Sequence, residues 1–418
     1  MPNLPRLKFP KNFLWGVSTS AHQVEGGLHN QWTVWELENA KSLAAQAPYH
    51  YDDLENWDDI KQAAKTPANY VSGKAADHYE LFEQDIALVR KLNMNAFRLS
   101  VEWSRIQPQS ETWNAEAVEH YKAVLATCKK YGIEPIVTLF HFTLPVWFAE
   151  QGGFERASNI RYFVEFATKL LAELGPNVKY VITINEPDAY VNQSYIEGRW
   201  PPQMTNSRVA AATRRNLARA HNQVADALHA ANRRYKVSIA KNYSYIYPGD
   251  DAWLSVKASQ LKQYQDNDAF LRKVVKRCDF IGINYYFSDR VYGYRVHNPD
   301  QRLSDVGWDM QPQYLARALE QLYETYNKPI LITENGVADM TDKHRQWWLA
   351  QTIVAMQEAM SKGVELLGYL HWSLLDNFEW DKGFWPRFGL FAVEYKTMKR
   401  TPRKSAAWLA KLLSKIRG

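Results

Sequence analysis

Short apolar runs alternate with amphipathic stretches along nearly the whole chain. The runs fall at residues 13–17, 96–100, 135–139, 181–184, 237–240, 280–283, 330–333 and 366–370. Each is β-branched or aromatic and apolar without strict alternation, the pattern of strands buried on both faces. Between them, apolar positions recur at three- and four-residue spacing. Tyr79, Phe82, Ile86, Val89 and Leu92 form one such set, and Val118, Tyr121, Leu125 and Cys128 another. Leu315, Leu319, Leu322 and Tyr326 form a third, and Leu349, Ile353, Met356 and Met360 a fourth. This spacing predicts helices with one stripe against a core. Gly132 is expected to end one helix, and Asn327 followed by Pro329 another.

Eight strands alternating with helices predict a parallel sheet, either a closed (β/α)8 TIM barrel or an open doubly wound sheet. The count of eight favours the barrel. No glycine fingerprint follows the first strand, as a dinucleotide-binding sheet would require. No linker, low-complexity tract or short repeat interrupts the chain, so residues 1–418 read as a single α/β barrel domain. Residues 26–72 lack a clear strand and are expected to form loops and short helices over one barrel face.

Composition narrows the class. With 418 residues, 46% hydrophobic and 23% charged, the chain is globular and long enough for a large core. Two cysteines, Cys128 and Cys278, exclude a disulfide framework and suggest a reduced, cytoplasmic protein. The formal net charge is +6, but eight basic residues and no acidic ones lie between Tyr395 and Gly418. A nucleic-acid partner would show a basic groove interleaved with aromatics; a terminal excess reads instead as the solvated face of a closing helix. The first twelve residues, MPNLPRLKFPKN, hold three prolines and no apolar h-region, so no secretory signal is expected. The most apolar region, IVTLFHFTLPVWFA, is broken by Thr138, His141, Thr143 and Pro145. It falls short of the ~18 uninterrupted apolar residues a membrane span needs, so the chain reads as soluble, without a membrane partner. The 16 Trp, 24 Tyr and 17 Phe supply flat faces with polar edges, which suit sugar rings.

In a barrel, chemistry belongs at the C-terminal strand ends and the loops after them. Reading there in turn gives Gln23, Arg98, His141, Asn185 with Glu186, Asn284 with Tyr286, Glu334 with Asn335, and Trp372. Glu186 in VITINEPDAY and Glu334 in ILITENGVAD each end an apolar run and precede a breaker, Pro187 or Gly336. The fourth and seventh strands lie nearly opposite in an eight-stranded barrel, so the two carboxylates are expected to face each other. Glycoside hydrolysis uses such a pair, one acid protonating the leaving oxygen and the other acting as nucleophile or base. The eleven histidines are scattered without an HxH or HExxH pattern, so no metal is expected.

The segments FLWGVSTSAHQVEGG, DHYELFEQDIALVRKLNMNAFRLSVEWSRI, TINEPDAY, GINYYFSD, ITENG, WSLLDNFEW and RFGLFAVEY occur in that order. In that ordered combination the chain resembles glycoside hydrolase family 1, the β-glucosidase and β-galactosidase family. The resemblance implies a retaining β-glycosidase without cofactor, acting on a small-molecule carbohydrate; it says nothing of oligomeric state. It implies Glu334 as nucleophile and Glu186 as general acid/base. Asn185 would bond the sugar 2-hydroxyl, and Gln23, His141, Glu379 and Trp380 the remaining hydroxyls. Trp372 would form the stacking floor and Trp308 the platform for the leaving group. Arg98 and Tyr286 would hold Glu334 ionised and oriented, with Asn284 and Tyr286 also lining the sugar site. Like-charge repulsion from Glu334 is expected to raise Glu186. An anionic Glu379 is expected to repel a phosphate, so the sugar should be unphosphorylated. The chain departs from the family at Phe142, where the pattern carries a tryptophan; phenylalanine lacks the indole N–H donor. The chain is also compact for the family, which suggests a more open leaving-group site.

Overall fold

The computed structural model describes residues 8–298 and 302–417. The reading of the first twelve residues as free of a signal rests mostly on residues 1–7, which lie outside the described residues.

All eight expected strands form. They are Leu14–Ser18, Ala96–Ser100, Glu134–Phe140, Tyr180–Asn185, Lys236–Asn242, Ile281–Asn284, Ile330–Asn335 and Leu366–Trp372, numbered first to eighth below. Each pairs in parallel with its sequence neighbours, and the first pairs with the eighth from Leu14↔Gly368 to Ser18↔Trp372, closing a (β/α)8 barrel. Alternate side chains enter two different apolar environments. Ala96, Ile136, Ile182, Ala240, Leu331 and Leu370 pack together in one buried cluster. Their neighbours Phe97, Val137, Val181, Ile239 and Ile332 pack in a second cluster with the helix residues Ile86, Leu125, Leu319 and Ile353. Both faces are apolar, which is why the strands read as continuous hydrophobic runs.

The four amphipathic sets lie on helices His78–Lys91, Ala115–Lys130, Leu315–Tyr326 and Arg345–Ser361. Gly132 takes φ 66° beyond the second of these. There the Ile133 amide donates to the Cys128 carbonyl and the Gly132 amide to that of Lys129, a Schellman stop. Asn327 ends the third helix at φ 48°.

Three expectations are corrected. Several strands run one or two residues further than their apolar cores, so Asn185, Asn284, Glu334, Asn335 and Trp372 are strand residues rather than loop residues. Backbone pairing continues after the side chains turn polar. Residues 26–72 contain a 21-residue helix, Gln31–Tyr51, where only short helices are expected. Its start is fixed by a capping box between Asn30 and Thr33. Its buried face is made of Trp32, Trp35, Ala40, Ala44 and Ala47, and small alanines on both sides blur the stripe. The basic C-terminal segment is not wholly a solvated face. Lys404–Arg417 is a helix with buried Leu409 and Leu413. Arg400 instead lies in a hairpin strand, Lys399–Pro402, and makes a fully buried pair with Asp85 at 2.8 Å. Arg403 pairs with Asp376 at 2.9 Å. Among the described residues no helix is long and apolar enough to cross a membrane.

Candidate active site

The C-terminal strand ends open into a cleft of about 780 Å³ lined by Gln23, His141, Asn185, Glu186, Asn284, Tyr286, Trp308, Glu334, Trp372, Glu379 and Trp380. Every expected sugar-contacting residue and both glutamates therefore reach one mouth. Arg98 stands directly behind it.

Glu334 ends the seventh strand at 4% exposure. The residue after next, Gly336, is where a Cβ would sit 1.8 Å from the Trp372 carbonyl oxygen, so only glycine lets the seventh and eighth strands approach here. The fully buried Arg98, on the second strand, donates to Glu334 Oε1 at 2.5 Å, and the Tyr286 hydroxyl donates to Oε2 at 2.8 Å. Arg98 is itself fixed by Thr138 Oγ1 at 3.0 Å, Ser18 Oγ at 3.2 Å and Asn185 Oδ1 at 2.7 Å. Both residues hold Glu334 through hydrogen bonds, and both favour its ionised form. Burial pushes the Glu334 pKa upward, and Arg98 and Tyr286 only partly offset it. Burial and the nearby carboxylates push the Tyr286 hydroxyl well above its usual value, which keeps it a donor.

Glu186 follows the fourth strand at φ 39°, ψ 62° and caps helix Pro187–Tyr195. Pro187 at the first helical position has the pre-set φ that a helix start favours. The Glu186 amide donates to the Ala240 carbonyl at 2.7 Å, which anchors this left-handed residue to the fifth strand. Asn284 Nδ2 donates to Glu186 Oε1 at 2.7 Å and to Asn185 Oδ1 at 3.1 Å. Asn284, expected among the sugar-binding residues, thus also holds the Glu186 carboxyl, and Thr333 donates to its Oδ1 at 2.7 Å. The Glu186 pKa rises to about 7, with burial the larger cause and Glu334 the second, which reverses the expected emphasis on charge repulsion.

His141 is neutral: burial and Arg98 hold its pKa well below the usual range. Asn185 Nδ2 lies 3.1 Å from His141 Nε2, so Nε2 is assigned as acceptor and Nδ1, without a protein partner, carries the proton. The His141 ring is 6.0 Å from the Trp372 ring centre and 6.1 Å from that of Trp380, within 26° of parallel to both. Gln23 Nε2 donates to Glu379 Oε2 at 3.3 Å and to the Phe378 carbonyl at 2.8 Å. Burial, Glu334 and Asp381 outweigh Lys382 and push the Glu379 pKa to about 8. A pKa raised this far favours the protonated acid near neutral pH over the expected anion. Trp308 lines the cleft and sits edge-on to Tyr286 at 5.5 Å.

Phe142 lines the cleft but is only 3% exposed, wedged 5.0 Å from Trp200 and 5.1 Å from Trp380. Phe142→Trp is expected to alter the ratio of kcat/KM between glucosides and galactosides by up to about tenfold, the worth of one neutral hydrogen bond. It should also lower Tm slightly, because the pocket is already filled. Paired kinetics on the two glycosides check this; unchanged ratios would mean that Phe142 does not bear on sugar choice.

Sequence reasoning missed Lys241, which is fully buried in the fifth strand beside Glu186. The signal was visible: a lysine inside the apolar run VSIAKN is unusual in a strand covered on both faces. It also missed the polar outer wall, where Lys262 bridges Asp266 at 2.6 Å and Asp289 at 3.2 Å. Among the described residues no group of three or more His, Cys, Asp or Glu side chains is arranged to hold a metal ion.

A closed parallel barrel with two glutamates at the ends of its fourth and seventh strands, set among aromatic and amide side chains, has the architecture of a barrel glycosidase. The sequence profile of Glycosyl hydrolase family 1 matches residues 6–280 and 253–417. This chain belongs to that family and is a glycoside hydrolase. It is 29% identical over 458 aligned positions to beta-glucosidase A of Thermotoga maritima, covering 97% of this chain and 98% of that protein. It is 31% identical to the galactolipid galactosyltransferase SFR2, chloroplastic, of Arabidopsis thaliana, covering 79% of this chain and 57% of that protein. Among solved structures, a beta-glycosidase from Pyrococcus horikoshii superposes with a TM-score of 0.85 at 35% identity, covering 97% of this chain and 95% of that one. A beta-glucosidase from Thermotoga maritima in complex with deoxynojirimycin gives 0.83 at 27% identity, covering 99% of each chain.

Proposed function

We propose that this protein is a retaining β-glycosidase of β-glucosidase type. It would release non-reducing terminal β-D-glucosyl residues from small oligosaccharides or from aryl and alkyl glycosides. The observation that carries the reading is the pairing of unlike carboxyls in one cleft. Glu334 is gripped by Arg98 and Tyr286, while Glu186, with a pKa of about 7, stays substantially protonated near neutrality. Glu334 attacks the anomeric carbon as Glu186 protonates the departing oxygen, giving a covalent glycosyl-enzyme. Esterification removes the Glu334 charge, so the repulsion on Glu186 falls and it serves as base to the incoming water. Asn185, His141, Gln23, Glu379 and Trp380 bond the hydroxyls, Trp372 forms the stacking floor, and Trp308 meets the leaving group. The reading takes residues 1–418 as one barrel domain. The names of the Thermotoga maritima relatives support glucose as the sugar.

Proton NMR of the first sugar released from an aryl β-glucoside tests the reading. The β anomer is expected before mutarotation; the α anomer would exclude double displacement. A second reading is favoured by the galactosyltransferase relative. The same covalent intermediate would then be resolved by a sugar hydroxyl, and new glycosides would outnumber hydrolysis products at high acceptor concentration.

A further inference from the structure

A buried ammonium is stable only when its charge and all its donors are satisfied. Lys241 meets this condition through groups that surround Glu186. Its Nζ donates to the Asn242 carbonyl at 2.6 Å, to Asn242 Oδ1 at 3.0 Å and to the Asp266 carbonyl at 2.6 Å. Asp188 Oδ2 lies 3.3 Å away as a charge contact, while Asp188 Oδ1 accepts from Arg214 Nε at 2.8 Å. Asp188 is two residues beyond Glu186, in the first turn of the helix that Glu186 caps. Ala240, immediately before Lys241, accepts the Glu186 amide. Asp266 belongs to a π turn, Tyr264–Asp268, a rare element that is frequent at functional sites. Lys241 thus joins three segments around one catalytic side chain, and no step of the reaction above uses it.

We propose that Lys241 is a positioning residue for the acid/base: it clamps the helix start that carries Glu186 against the fifth strand and the π turn, and holds a fixed positive charge beside it. The proposal rests on the acid/base reading of Glu186. The charged and titratable groups facing Glu186 are Glu334 from the seventh strand and Arg98 from the second. Tyr286 and Glu379 face it from the loops after the sixth and eighth strands, and Lys241 from the fifth. Burial and Glu334 favour the protonated acid; Asn284, Lys241 and Arg98 favour the anion. Losing Lys241 removes a cation and also unmasks Asp188, and both changes hold the proton on Glu186. Losing the Asp188 charge unmasks Lys241 and Arg214, which has the opposite sign.

The test is the pH profile of kcat/KM for phenyl β-glucoside, whose departure needs a proton, with 2,4-dinitrophenyl β-glucoside as the substrate that does not. The wild-type alkaline limb is expected near pH 7, where Glu186 loses its proton. Lys241→Met should move that limb up by about one pH unit, Asp188→Asn should move it down, and Lys241→Arg should restore it. The alkaline limb should be absent with the dinitrophenyl substrate. Activity losses with an unmoved limb, or limbs moving the same way in both variants, would overturn the proposal and leave Lys241 a structural residue. If Lys241→Met does not fold, the downward shift in Asp188→Asn decides alone. Wild-type enzyme lacking the limb on phenyl glucoside would instead remove the acid/base reading itself.

Discussion

Glu334→Gly is expected to lose turnover on every β-glycoside by on the order of 10⁵-fold or more, because no glycosyl-enzyme can form without the carboxylate. The loss should not depend on the leaving group, since the missing bond is the one to the sugar. Arg98 and Tyr286 would then face a vacated volume at the end of the seventh strand. Azide or formate entering that volume attacks from the face opposite the leaving group, so azide should rescue activity and yield an α-glycosyl azide. With an α-glycosyl fluoride and a sugar acceptor, the same variant should build β-glycosidic bonds that it cannot cleave. Steady-state rates with and without azide, and NMR of the product, check both statements.

Glu186→Ala should behave differently because the nucleophile remains. Leaving groups that need a proton, such as a second sugar, should slow by about 10²–10⁴-fold, the usual worth of general acid catalysis. A dinitrophenolate departs unaided, so the covalent intermediate should form quickly and its hydrolysis should limit the rate. A pre-steady-state burst is the expected signature. Azide should accelerate that second step and give a β-glycosyl azide, since it attacks from the face opposite Glu334. An α-azide from Glu186→Ala together with a β-azide from Glu334→Gly would exchange the two roles.

The two glutamates were legible because their signal is local. Each closes an apolar run that must be a buried strand and precedes a residue that breaks it, Pro187 or Gly336. Gln23, His141, Asn185, Asn284, Tyr286 and Trp372 were legible by their place at or just beyond strand ends, whereas Trp308, Glu379 and Trp380 entered only through the family resemblance. What each side chain does there was less so. Asn284 looked like a sugar contact, and it also donates to Glu186. Glu379 looked like an anion, but burial, with Glu334, Asp381 and Glu186 nearby, pushes its pKa up to about 8.

The sequence by itself determined the barrel, its eight strands, four of its helices and the identity of the carboxylate pair, since periodicity and strand-end chemistry are properties of neighbouring residues. Only the tertiary structure decided the electrostatics. Arg98 meets Glu334 across 236 residues, and Arg400 meets Asp85 across 315. Lys241 reaches the Asp266 carbonyl across 25 residues and stands beside Asp188 from a different strand–helix unit. Charge interactions and burial depend on distance through space, and residues far apart in the chain acquire those distances only when the barrel closes.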